Sequence, residues 1–238
     1  MRDFFSLDGP FSKYGTLVAD TLLLSGLWIL FSLPIFTIGA ATSAMFYVST
    51  RRIADREGYI TSDFWKAFKS NFKQATLFWM MIFVLSSILL VNVWIMTFSA
   101  FDAEGIAGGA LSIAFPAQFI FMLQIAFICT YAFPMAARFE MSFFQLLKNS
   151  FIMANKHFVT SILCLVLLAL LLIIGVQTLI LVLLVPGIYA MLSSYLIMRV
   201  FKKYHPEIDK DPMLEIAEIE AKKAEERRRR EFNREDVG

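Results

Sequence analysis

Residues 158–200 read FVTSILCLVLLALLLIIGVQTLILVLLVPGIYAMLSSYLIMRV, a run of 43 in which Arg199 is the one charge. A bilayer core about 30 Å thick is spanned by ~20 helical residues, so the run is too long for one crossing and right for two. Val185-Pro186-Gly187 divides it. Proline cannot continue a helical ladder and glycine accepts the turn that follows. This segment is therefore a helical hairpin built for lipid, where every backbone polar group must find its partner inside the chain.

Outward from it, four more apolar regions run from Tyr14 to Leu33, Ile38 to Thr50, Ala75 to Ala100 and Ile106 to Ala137, with Pro34 between the first two. The whole chain of 238 residues is 58% hydrophobic and 18% charged, which excludes an ordinary water-soluble domain. The expected fold is an all-α membrane protein. Its crossings are expected at 14–33, 37–53, 75–100, 106–137, 158–184 and 186–203, a six-helix transmembrane bundle. The first run is about 20 residues long and its flank balances Arg2 and Lys13 against Asp3 and Asp8, so it reads as a retained helix and not as a cleaved signal peptide.

Charge supports that count. Tyr204 to Gly238 holds 8 basic and 11 acidic residues, leaving 14 basic and 9 acidic for the rest. With six crossings, residues 1–13, 51–74, 138–157 and 199–203 share one side and carry all 14 basic residues of the body. The turns near 34–37, 101–105 and 185–187 carry none. Lys and Arg stay on the cytoplasmic side, so both termini are expected there. The division is 1–204 as a polytopic membrane domain and 205–238 as a charged, helical cytoplasmic tail. Glu225, Glu226 and Glu231 flank Arg227 to Arg230 and blunt its attraction for lipid. The basic groups form no soluble face, which excludes nucleic acid as a partner.

Two amphipathic helices are expected in the cytoplasmic loops, at 62–73 and 142–153. In the first, Phe64, Trp65, Phe68 and Phe72 fall on one face; in the second, Phe143, Phe144, Leu147 and Phe151 repeat the register. Ser62 and Ser142 suit the N-cap. An internal duplication explains the likeness, and so do two interfacial helices doing the same work. Trp65, Phe68, Phe144 and Leu147 are the candidates for contact with a partner or with lipid. Gly39, Ala40, Ser43 and Ala44 place small residues at i and i+4, the spacing that brings helix backbones together in lipid.

Asp20, Asn92, Gln118, Gln124 and Gln177 are the polar groups inside the apolar runs. An intramembrane carboxylate is by default a functional candidate, but Asp20 lies near the cytoplasmic face, where interfacial solvation or a nearby lysine gives it a structural role, and the amides read as inter-helix hydrogen bonds. Four amides facing one cavity would instead suit a neutral polyhydroxylated solute. Cys129 and Cys164 read as small buried hydrophobes, His157 and His205 are isolated, and no phosphate loop or metal motif occurs, so no catalytic residue, cofactor or metal is expected and the chain reads as a non-enzyme.

Three segments, Phe4 to Phe11, Ser32 to Ala41 and Phe64 to Phe72, together resemble the YesL-like family of bacterial membrane proteins, over about residues 1–204. The resemblance implies an integral membrane protein of Gram-positive bacteria, a domain of unknown function, with genes often beside carbohydrate ABC importers. It implies the lipid bilayer and importer components as partners, and an accessory or regulatory subunit as the role. The alternatives are a small stand-alone transporter or channel for a neutral solute and, behind it, the ABC permease itself. The Glu-Ala-Ala loop that permeases use to engage their ATPase is missing from both loops.

Overall fold

The computed structural model describes residues 10–54, 58–100, 106–177 and 182–204. Among these the chain is all-α: α1 (Pro10–Ser32), a 3-10 turn (Ile35–Thr37), α2 (Ile38–Ile53), α3 (Ile60–Ala100), α4 (Ile106–Arg138), α5 (Phe143–Lys156), α6 (Phe158–Gln177) and α7 (Val185–Tyr204). Residues 1–198 form one compact unit and Arg199–Gly238 a second, of which the described part is the end of α7. The expected tail helix and the turn at 101–105 lie outside the described residues.

Among the described residues, four helices are long and apolar enough to cross a membrane: Gly15–Ser32, Ile60–Phe98, Ala114–Arg138 and Phe158–Gln177. Their large side chains face outward, with Leu23, Val84, Ile88, Phe119 and Ile173 all more than half exposed. An apolar surface of that extent calls for lipid. The expected second and sixth crossings are not among the four. At about 24 Å for 16 residues, α2 is shorter than a bilayer core, and α7 ends in Lys202 and Lys203.

The expected separate helix at 62–73 does not exist as such. It is the first third of α3, which runs unbroken for 41 residues, about 60 Å. No glycine or proline occurs between Ile60 and Ala100, and a change from polar to apolar does not itself end a helix. Ser62 consequently lies inside α3 and caps nothing. The second amphipathic helix is separate, as α5. Its capping box is complete: Ser142 Oγ accepts from the Gln145 N–H, and the Ser142 N–H donates to Gln145 Oε1 at 3.0 Å.

The breaks between helices are satisfied internally. Before Pro34 the chain leaves α1, and Thr37 Oγ1 reaches back to the carbonyls of Phe31 (2.6 Å) and Pro34 (2.7 Å), answering an orphan acceptor at the end of α1. The break at 184–187 is closed from another helix. Ser25 Oγ on α1 accepts from the Gly187 N–H at 3.0 Å and contacts the Leu184 carbonyl at 3.4 Å, so α7 is capped by a serine 162 residues away.

Both turns sit beside helices and not beyond their ends. Trp79 Nε1 donates to the Ile35 carbonyl at 2.8 Å, and α3 continues from there for 21 residues, about 30 Å. Ser25 is near the middle of α1, so the 184–187 turn lies alongside that helix.

At the centre lies α2, packed against α1, α3 and α4. Ala40, Ala41, Ser43 and Ala44 have no exposed surface. A Cβ placed on Gly39 would meet the Ala75 carbonyl oxygen and, at 2.5 Å, Trp79 Cβ, so only glycine permits this approach. Two ion pairs pin the other end of α2. Arg51 pairs with Asp63 of α3 at 3.0 Å, and Arg52 with Asp20 of α1 at 3.0 Å. Gly39→Leu should therefore lower the thermal midpoint in detergent, by an overpacking cost of about 1–3 kcal/mol, although leucine inserts into membranes better than glycine. An unchanged midpoint would show that the α2–α3 contact tolerates bulk.

Candidate functional site

A cleft of about 480 Å³ opens between α1, α2, α6 and α7. Helix α1 supplies Trp28 and Ile29, and α2 supplies Thr42 and Met45. Helix α6 contributes Leu168 and Leu172, while the α7 end brings Val185, Pro186 and Tyr189. A second cleft of about 250 Å³ reaches toward α4, at Cys129, Thr130 and Phe133. The two share Thr42, Leu168 and Tyr189, which stand at their junction.

The lining is almost wholly apolar, and its few polar groups are engaged. The Trp28 indole N–H donates to Thr42 Oγ1 at 3.0 Å, the Thr130 hydroxyl donates to the Ala126 carbonyl at 3.0 Å, and the Tyr189 ring packs edge-on against Phe46. A cavity of this kind holds hydrocarbon and repels water, since water needs two to four polar partners. Among the described residues no group of three or more His, Cys, Asp or Glu side chains could hold a metal ion.

The intramembrane amides do not converge on either cleft. Asn92 and Gln177 are exposed on the outside of α3 and α6. Gln118 is buried and donates to the Leu89 carbonyl at 2.5 Å, joining α4 to α3. Gln124 lies six residues further along α4, which turns it about 120° away, and its Nε2 is buried without a partner. Of the inter-helix hydrogen bonds expected for the amides, Gln118 makes one, while the exposed Asn92 and Gln177 do not face the alternative shared cavity. Asp20 has an ionic partner, but it is Arg52 and not a lysine.

The four candidate contact residues also divide. Phe68 is buried in an aromatic cluster, its ring 5.0 Å from Phe31 of α1 and stacked on Trp65 at 5.9 Å. Leu147 is half-buried, while Trp65 (44% exposed) and Phe144 (79%) stand out from the surface. Sequence periodicity could not separate these four, because Phe31, the residue that covers Phe68, lies on another helix. The lining residues of the clefts were equally hidden, being ordinary apolar side chains from four helices.

Residues 21–93 are similar to the family described as Protein of unknown function, DUF624. The match takes in the second half of α1, all of α2 and most of α3, including Gly39, Trp79 and the Arg51–Asp63 ion pair. No curated protein and no solved structure matches the chain.

The Ser25 bridge is the site's structural support, because it fixes Val185 and Pro186 at the cleft wall. Ser25→Ala should lower the thermal midpoint in detergent by the loss of a cap, about 0.5–2 kcal/mol, and Ser25→Thr should recover part of it. Equal midpoints for all three proteins would show that the α7 end is held by packing alone.

Proposed function

We propose that this chain is a non-enzymatic integral membrane protein of the bacterial cell membrane, acting as an accessory or regulatory subunit of ABC-type carbohydrate uptake. The observation that carries the reading is the apolar lining of both clefts, with the intramembrane amides dispersed around the bundle. A body of that kind is suited to contact with lipid and other membrane proteins and poorly suited to passing a polar solute. The link to carbohydrate uptake rests on the YesL-like resemblance, and the similarity of residues 21–93 to a family of unknown function is compatible with it.

A stand-alone transporter or channel for a neutral solute is the second reading. It is favoured by the helix breaks at Pro34 and Pro186, since interrupted helices commonly line transport sites. The tagged protein, solubilised in mild detergent from its native membrane after carbohydrate induction, should bring importer components with it. Recovery of none, together with sugar flux in proteoliposomes holding this chain alone, would replace the first reading with the second. Within the first, Trp65→Ala with Phe144→Ala should weaken partner recovery, and truncation after Tyr204 should leave it intact; the opposite pattern would move the docking surface to the tail.

The proposed topology has six crossings with both termini cytoplasmic, supported by the partition of 14 basic residues from none. The contact of Ile35 with Trp79 weighs against six crossings of equal depth. Single cysteines at Asp102, Ile35 and Arg56 decide between them. Six crossings require the first two to label from outside and the third only after permeabilisation. Labelling of Ile35 together with Arg56 would reduce the count.

A further inference from the structure

One side of α3 changes character within a single turn. Ser62, Lys66, Lys69, Ser70 and Lys73 are all exposed and share a narrow arc, since positions three, four and seven apart stack along a helix. The next exposed residues on that side are Leu77, Met80 and Val84, and apart from Ser87, whose hydroxyl donates to the Phe83 carbonyl at 2.8 Å, it stays apolar through Val91, Ile95 and Phe98. Leu77 to Phe98 is 22 residues, about 33 Å, which matches a hydrocarbon core of about 30 Å. On this exposed side of α3 the surface therefore changes from charged to apolar between Lys73 and Leu77. Two independent contacts mark the same level. Gln74 Nε2 donates to the Met141 carbonyl at 2.9 Å, bringing up the start of α5 with its exposed Phe144, and Trp79 sits just inside, as indole rings do at headgroup depth.

The charges at this boundary are not neutralised. No carboxylate pairs with Lys66 or Lys73 among the described residues, and Lys69 Nζ lies 4.6 Å above the Trp65 ring. The nearest acid along the helix, Asp63, is paired with Arg51. Three ammonium groups on one face, at the depth of the lipid phosphates and with aliphatic stems able to lie along apolar surface, are complementary to anionic headgroups.

We propose that Lys66, Lys69 and Lys73 form a binding surface for the headgroup phosphate of anionic phospholipids, with Trp65 stacked beside it at the bilayer surface. The ammonium of lysine is a compact charge on a flexible stem and does not demand the fixed geometry that arginine imposes, which suits a ligand that diffuses in the membrane plane. This surface shares Trp65 with the partner face proposed above, but its three lysines and its lipid ligand involve no importer component, so the two readings are tested separately.

The test measures retention of phosphatidylglycerol against phosphatidylcholine by the detergent-solubilised full chain, using native mass spectrometry. Each lysine near an anionic surface contributes roughly fivefold, so the intact chain should favour phosphatidylglycerol by at least about tenfold. That preference should shrink as added salt cuts the screening length from about 10 Å at 0.1 M to about 3 Å at 1 M. The triple variant K66Q/K69Q/K73Q should retain both lipids alike, and K66R/K69R/K73R should keep the preference. Glutamine matches lysine in helix propensity, and unchanged helical content by circular dichroism checks the fold. Equal retention by the intact chain, a salt-independent preference, or a glutamine variant that still prefers phosphatidylglycerol would each overturn the proposal. So would loss of the preference in the arginine variant, or loss of a co-purifying protein from the glutamine variant with lipid retention unaltered.

Discussion

Hydrocarbon leaves no solvent for a stray backbone amide, and the construction of this protein follows from that constraint. Apolar helices meet it by themselves, but each interruption exposes donors and acceptors that another residue must answer. Thr37 answers for the chain leaving α1, and Ser25 answers for the start of α7. The second is the more consequential, because it ties together parts of the chain 162 residues apart and thereby fixes one wall of the large cleft.

The same shortage of solvent shapes the centre of the bundle. Lipid gives helices no hydrophobic reason to associate, so contact must come from close fit and from polar bonds. Helix α2 uses both. Its glycine and alanine end presses on the backbone of α3, and its arginine end is fastened to α3 and α1 by ion pairs. Both ion pairs are largely buried, and the cost of taking the charges out of water offsets much of their attraction, so here they set register and orientation more than stability. The close fit of Gly39 determines which faces meet, and the pairs of Arg51 and Arg52 fix how far α2 slides along its neighbours.

Much of the helical order was legible from residues alone, because long apolar runs and proline breaks act locally. Pro34 and Pro186 mark real interruptions, Ser142 is the N-cap that its hydroxyl suits it to be, and the small residues around Gly39 lie in the buried centre. What could not be read depended on partners distant in sequence. A change of hydropathy near Lys73 looked like a helix boundary, yet with no glycine or proline the helix continued. The amides of Asn92 and Gln177 looked like internal bonding groups, yet which side of a helix faces its neighbours depends on packing that periodicity in an all-apolar segment does not encode. The clefts were invisible for the same reason.

The uninterrupted length of α3 has a mechanical meaning. A rod of about 60 Å without a joint behaves as a lever, so a tilt of about 5° at one end carries the other through about 5 Å. Its lower part is gripped by α2 and by Phe31, while its upper part touches α4. A push on the charged stretch around Lys69 would thus arrive at Ala100 as a displacement, undamped by any hinge on the way.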